Sequence, residues 1–402
     1  MTDVENPAAT QLSPVSVGSR AELEAAGLVA PHTDRPCLGR VLPAVAGALG
    51  VRDVPEAALA QTLLGLPDAS RVCVVLVDGL GHTNLAERAG HAPFLRGRLG
   101  GSTPLTSTFP STTASAMGTF GVGLPPGRTG MLGYTVRDPE SGTLGNLVSW
   151  TGLPPARTWQ RETTVFERLA AAGTRVTSIG PARFAGSGLT EAALRGPVYR
   201  SAESLADRVD ATVDALRQPG MAYLYWGDVD KAGHHHGWGS LQWGDALAEL
   251  DFELGRLARL LPRGTVLVVT ADHGMVDVDT SQRWDVGTHP VLGAGVALVA
   301  GEPRALHLHL EPGVAPEDVR DRWRDVLGSA AVVATRTETV GDGWFGEVSA
   351  HVLPVVGDVV VAMTGRATVV DSRTQTPASM DLVGVHGSLT PHEMLVPCVV
   401  VA

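Results

Sequence analysis

Lysine is nearly absent: the 31 basic residues include a single lysine, Lys231, the rest being arginine. A genomic bias toward arginine codons accounts for this, and Lys231's place beside a motif adds only a mild suggestion of function. Positive charge is scarce overall, with a formal net charge of −11, the wrong sign for gripping a nucleic-acid polymer by its phosphates. A small anionic substrate is compatible with that balance only if cations are recruited locally. Cysteines number three, Cys37, Cys73 and Cys398. They are odd in number and widely spaced, two of them inside apolar runs, so they read as reduced structural thiols of a cytoplasmic protein. No stretch approaches the roughly eighteen apolar residues of a membrane span, and the N-terminus has acidic residues early and no apolar signal core. Neither secretion nor membrane insertion is expected. With 44% hydrophobic and 18% charged residues over 402 positions, disordered, collagen-like, coiled-coil and disulfide-scaffold classes are excluded.

What is present is an alternation of strands and helices. Arg71 to Val77 (RVCVVLV) is a β-branched run suited to a parallel strand buried on both faces, and it ends at Asp78-Gly79. Met221 to Trp226 runs into Gly227-Asp228-Val229-Asp230, and Thr265 to Ala271 runs into Asp272-His273-Gly274. Helical patterns lie at Leu38 to Leu49, Thr164 to Ala172 and Asp245 to Leu261. The expected fold class is α/β, a central, mostly parallel sheet flanked by helices, whose ligands gather outside the carboxyl ends of the strands. Residues 1–35 read as a loosely held N-terminal arm, residues 36–285 and 372–402 as the core, and residues 286–371 as a small inserted α+β cap. In the cap, GVALVAGEP, ALHLHLEPG and AAVVATRTETV read as strands and Ala315 to Leu327 as a helix. Near the end, Thr390-Pro391-His392-Glu393 has the spacing of a capping box with Pro at the first helical position. No internal repeat is found.

Three constellations carry chemistry. Asp272 and His273 at the end of an apolar strand are either solvated at a loop start or satisfied by a metal, since burying either without a partner is costly. Asp230 and His234 stand four apart, which brings carboxylate and imidazole to one face of a helix. Asp228 lacks that spacing, and His235 and His236 point elsewhere. The loop Thr106 to Gly118 is rich in hydroxyls and leads into small residues that open a helix, either an ordinary N-cap or a place where a phosphate meets free N–H groups.

The order Asp78-Gly79, the threonine-rich loop, Asp230-x-x-x-His234, Asp272-His273-Gly274 and His386-Gly387 resembles the alkaline phosphatase superfamily, and within it the type I phosphodiesterase/nucleotide pyrophosphatase branch. The likeness runs from about Arg71 to the C-terminus. It implies a two-metal phosphoric ester hydrolase. One ion would be held by Asp230, His234 and His386, the other by Asp78, Asp272, His273 and the nucleophilic hydroxyl. Three carboxylates and an alkoxide would then balance two divalent ions. Zinc is expected first, manganese or iron next. The family's Gly-Leu-x-Pro-x-x-x-Gly stretch aligns without a gap onto Gly123, Leu124, Pro126 and Gly130 when Thr113 is the nucleophile. Thr112 is the second candidate, and Thr108, in Thr-Phe-Pro, the third. The same alignment puts Tyr134 where the family has a phosphoryl-binding asparagine; its hydroxyl can donate the same bond.

The implied activity is that of a phosphodiesterase or pyrophosphatase passing through a phosphoenzyme. A phosphomonoesterase or phosphonate hydrolase is the near alternative, and a non-catalytic metal-binding regulator the distant one. No Cys-x-Pro-x-Arg sequence supports a sulfatase. The implied partner is a small phosphorylated molecule, a nucleotide among the options, with neither nucleic-acid polymer nor membrane, and the oligomeric state is left open. His82, His289 and His392 read as supporting or exposed residues, and His307 and His309 as solvent-facing on a cap strand. Trp226, Trp238 and Trp243 either wall a leaving group or pack in the core. Trp344 and Phe345, in the cap turn GDGWFG, are expected to influence substrate choice.

Overall fold

The computed structural model describes residues 19–33 and 35–402, so residues 1–18 of the expected arm lie outside the described residues. Two six-stranded sheets organise the chain. The first runs in the order Cys398–Val401, Thr265–Ala271, Arg71–Val77, Gly220–Trp226, Val176–Gly180, Val198–Ser201. Its strands are parallel except Cys398–Val401. The three central strands are continuous apolar runs because helices cover both faces and leave no side facing water. Register then fixes the site: Val77 pairs with both Trp226 and Ala271, so three adjacent strands end at one level and release Asp78, the Gly227–Asp230 turn and Asp272 along a single edge.

The second sheet, in the order Ala331–Thr335, Val359–Met363, Ala305–Leu310, Val296–Glu302, Thr135–Arg137, Leu144–Asn146, is antiparallel throughout. Its last two strands come from residues 135–146. Leu306, Leu308 and Val361 on one face pack with Trp323 and Leu327, from the helix Pro316–Leu327. Ala305, Val360 and Ala362 on the other face join the main core together with Trp344 and Phe345.

Both faces are therefore covered, which corrects the solvent-facing expectation for His307 and His309: they are only 1% and 5% exposed. Gly357 N–H donates to His307 Nδ1 at 3.1 Å, and burial pulls both imidazoles down to about 3. AAVVATRTETV likewise divides into a strand, Ala331–Thr335, and a helix, Arg336–Gly341, opened by the Thr335/Glu338 capping box.

Helix punctuation follows the sequence elsewhere. Thr164 and Glu167 form a capping box at the start of Val165–Ala171, and Ser240 caps Leu241–Leu260. At Thr390 the box is not made. Glu393 instead turns into the interior and pairs with Arg304 at 2.7 Å. Within 19–33, Arg20–Ala25 is helical with Leu23 buried, and Val29 N–H donates to Leu389 O at 2.7 Å. Cys37, Cys73 and Cys398 are buried and in no disulfide. No helix among the described residues is long and apolar enough to cross a membrane.

Candidate metal centre and active site

Asp78 follows its strand directly, and Asp272-His273 follow theirs. The third strand passes through Gly227 into the helix Asp228–His236, whose pitch puts Asp230 and His234 on one face, His234 Nε2 lying 3.2 Å from Asp230 Oδ2. Gly79 makes the approach of these elements feasible: it sits at φ +70, and a Cβ there would come within 2.7 Å of the Asp230 Cβ. His386 arrives from far along the chain because Gly384–Val385 pairs antiparallel with Val276–Asp277, Val385 opposite Val276, just beyond His273.

Two clusters result, Asp230 with His234 and His386, and Asp78 with Asp272 and His273. Within each, the ligand atoms lie within 4.8 Å of one another. The His273 and His386 rings stack at 3.6 Å between centroids and join the clusters.

The hydrogen bonds select which atoms face inward. Asp272 Oδ1 accepts from Gly79 N–H at 3.1 Å and His273 N–H at 2.9 Å, leaving Oδ2 without a partner. Asp78 Oδ2 accepts from the Tyr225 hydroxyl, leaving Oδ1. Asp230 Oδ1 is likewise buried and unpartnered. All three imidazoles place Nδ1 on a carbonyl: His234 on Gly384 O at 2.7 Å, His273 on Gly274 O at 3.0 Å, His386 on Ser111 O at 3.0 Å. A carbonyl only accepts, so Nδ1 carries a proton and Nε2 is the ring atom turned toward the cluster. This is the outer arrangement that metal-binding histidines use.

Charge gives the same answer. Burial, reinforced by Asp272 and Asp230, pushes Asp78 well above the ordinary carboxylate range, and burial also raises Asp272. Burial would raise Asp230 too, but the attraction of His234, His386 and His273 outweighs it and holds that carboxyl low. For His234, burial is outweighed by Asp230, and the imidazole rises to about 9. Burial, with His273 beside it, drives His386 well below its usual value. Crowded acids with orphaned oxygens are costly alone and are satisfied by cations. The residues present therefore fit two divalent ions with nitrogen and carboxylate ligands.

The hydroxyl-rich loop lies against both clusters. Thr113 is the first residue of the helix Thr113–Val122, and its hydroxyl is 3.2 Å from His273 Nε2. Thr112 is the N-cap residue without a side-chain cap bond, beside the Glu302 carboxyl. Thr108 is turned away, its hydroxyl donating to Pro110 O at 2.7 Å. A cavity of about 830 Å³ opens over the clusters, lined by Thr112, Thr113, Tyr134, Tyr225 and Glu302 among others.

Trp344 and Phe345, expected to influence substrate choice, do not line this cavity. They are 1% and 0% exposed and pack on Phe109 at 5.1 and 5.6 Å, beneath the threonine loop. Trp226 and Trp243 are buried, and Trp238 packs against Trp243 and His392; none lines the cavity. His392 bonds Glu87 at 3.0 Å, and His289 caps a short helix. His82 is half-buried, and Asp228, His235 and His236 are exposed outside the clusters.

Sequence reading missed Tyr225 and Glu302. Glu302 had a signal, since it ends an apolar strand in the manner of Asp78 and Asp272. Burial pushes it up to about 8.

A profile of the type I phosphodiesterase / nucleotide pyrophosphatase family matches residues 72–389. The chain belongs to this family. Human ectonucleotide pyrophosphatase/phosphodiesterase family member 5 is 33% identical over 85 residues, a match spanning 19% of this chain and 18% of that protein. Among solved structures, murine ectonucleotide pyrophosphatase / phosphodiesterase 5, an inactive variant in complex with AMP, has a TM-score of 0.64 at 17% identity, covering 82% of this chain and 87% of that one. Phosphonoacetate hydrolase from Sinorhizobium meliloti 1021, in complex with phosphonoformate, has a TM-score of 0.65 at 22% identity, covering 83% and 90%. Both share the alkaline-phosphatase-like fold with this family member.

Proposed function

We propose that the protein is a two-metal phosphodiesterase or pyrophosphatase in which Thr113 is the nucleophile. The observation that carries this reading is the Thr113 hydroxyl, which lines the cavity at a helix N-terminus and lies 3.2 Å from His273 Nε2, whose ring stacks on His386 of the other cluster. When bound, two divalent ions, zinc first among them, would lower the pKa of the attacking hydroxyl and neutralise charge on the phosphoryl oxygens. Asp230, His234 and His386 would hold one, and Asp78, Asp272 and His273 the other. Thr113 Oγ bonds to phosphorus while the bond to the leaving oxygen breaks on the opposite side, and the proton that the hydroxyl gives up ends on the leaving group. Free N–H groups of the helix's first turn face the phosphoryl oxygens, and the Tyr134 hydroxyl donates to one of them. The oxygen of a water molecule then bonds to phosphorus as the bond to Thr113 Oγ breaks, one of the water's protons passes to Thr113, and the phosphoryl product is released.

A nucleotide-sized substrate suits a cavity of about 830 Å³, and the neighbour bound to AMP supports that class. The phosphonate-hydrolase alternative draws on the other neighbour; the cavity is far larger than so small a substrate needs. Three buried cysteines outside any disulfide accord with a cytoplasmic setting.

The deciding experiment compares bis-p-nitrophenyl phosphate, p-nitrophenyl phosphate, a dinucleoside diester and a phosphonate, with metal content measured on the same sample. Preference for the diesters with close to two ions bound per chain is expected. Monoester or phosphonate preference shifts the reading to the alternatives, and full turnover by metal-free protein rejects it.

A further inference from the structure

The turn that leaves Val296–Glu302 carries Arg304, a guanidinium with no exposed surface. Its Nε and Nη2 donate to Glu393 Oε1 and Oε2 at 2.7 and 2.9 Å, and its Nη1 donates to Ala367 O at 2.7 Å. Glu393 is also fully buried. Its Oε1 takes a second bond from Ser388 N–H at 2.9 Å, its Oε2 one from the Thr390 hydroxyl, and its carbonyl one from Gly274 N–H at 2.9 Å. Ser388 O accepts from the Ser111 hydroxyl at 2.6 Å, Ser111 N–H donates to Gly387 O at 2.9 Å, and Ser111 O accepts from His386 Nδ1 at 3.0 Å. A continuous chain of bonds therefore links the antiparallel sheet to the segment bearing His386, to the residue two before Thr113, and to the residue after His273.

A buried pair of this kind contributes little to stability beyond what neutral side chains of similar volume would, because desolvation offsets the attraction. Its directional forks, however, restrict how the attached segments can sit. Gly387 has no alternative seat: at φ +134, a Cβ there would be 2.7 Å from Glu302 Cγ, so the same turn packs directly on the His386 segment.

We propose that Arg304 is a positioning residue: paired with Glu393, it tethers the His386–Ser388 segment to the antiparallel sheet, so that His386 completes the cluster with Asp230 and His234. The antiparallel sheet is then part of the scaffold of the metal centre as well as a wall of the cavity. The inference rests on the two-metal reading.

The test uses the full chain carrying Arg304→Met with Glu393→Gln. The glutamine keeps an acceptor for Ser388 N–H and a donor toward Thr390, so the segment loses its bonds to Arg304 and keeps the Ser388 hydroxyl bond to Met363 O at 2.6 Å. Two quantities are read: zinc affinity by competition with a chelator, and amide hydrogen exchange of residues 384–390 in metal-free protein. The proposal predicts that one of two zinc equivalents weakens by about 10–100-fold, that the other holds, and that exchange in 384–390 rises by more than about tenfold while strand Arg71–Val77 stays protected. Wild-type exchange in 384–390, with both affinities unchanged, overturns it. If wild-type protein binds no zinc, the two-metal reading fails by itself, and the exchange measurement still decides whether Arg304 holds the segment. Should the double variant not fold, Arg304→Lys, which keeps the charge and loses the fork, is measured in the same two ways, with a smaller rise in exchange expected and wild-type behaviour again contradicting the proposal.

Discussion

Replacing Thr113 by alanine removes one oxygen atom, and its structural and chemical consequences can be separated. The hydroxyl makes one hydrogen bond, to His273, worth about 1 kcal/mol. Alanine at the first helical position returns roughly half of that through its helix propensity. The unfolding midpoint is therefore expected to fall by about 2 °C or less, and metal content to stay near that of wild type, since the six Asp and His side chains of the clusters remain. Turnover should fall by about ten-thousand-fold or more, equivalent to about 5 kcal/mol of barrier, because the covalent route has lost its attacking atom. The neighbouring hydroxyls serve as controls. Thr108 is committed to Pro110 O, and Thr112 stands beside Glu302, so alanine at either is expected to leave turnover within about tenfold of wild type. Steady-state hydrolysis of bis-p-nitrophenyl phosphate, with thermal melts and metal analysis of each variant, reads all of these. An active Thr113→Ala beside an inactive Thr108→Ala would refute the assignment and transfer the role to the Thr-Phe-Pro threonine.

Metal removal should lower the melting temperature, each ion contributing about 2.7 kcal/mol at a hundredfold excess over its dissociation constant; chelator titration followed by calorimetry checks this, and an unchanged melt contradicts it. Glu302 has its carboxyl raised to about 8 by burial, so the native state holds a proton that the unfolded chain releases above about pH 4.5. Its contribution to stability is thus present at low pH and lost as pH rises through 8. Glu302→Gln should accordingly stabilise metal-free protein at pH 8.5 and change little at pH 5, as urea unfolding at both values would show. Phe345→Ala opens a void against Phe109 and should cost about 3–5 kcal/mol while leaving the ratio of diester to monoester hydrolysis unchanged; a shifted ratio would return Phe345 to the substrate wall.

The sheet edge that carries both Asp/His clusters was legible in the sequence because local signals determine it. Arg71–Val77 and Thr265–Ala271 have the bounds read from their β-branched runs, and a carboxylate just past each could hardly be a packing residue. The four-residue spacing of Asp230 and His234 needed only a helix to become one face. What stayed hidden depends on distant partners. Thr135–Arg137 and Leu144–Asn146 are too short to show a period, and they join a sheet whose other strands lie beyond residue 295. The alternation of His307 and His309 implied a wet face, but Phe345 packs 5.6 Å from the His307 ring. Glu393 fits a capping box by local spacing, yet Arg304, 89 positions away, takes its carboxylate. Tyr225 gave no sign that its hydroxyl would orient Asp78.

Anomalous diffraction from crystals of the zinc-loaded protein, collected on either side of the zinc edge, tests the central claim most directly. The account predicts two peaks per chain, one among Asp230, His234 and His386 and one among Asp78, Asp272 and His273 with the Thr113 oxygen beside it. A single peak, or peaks away from these six side chains, would contradict it.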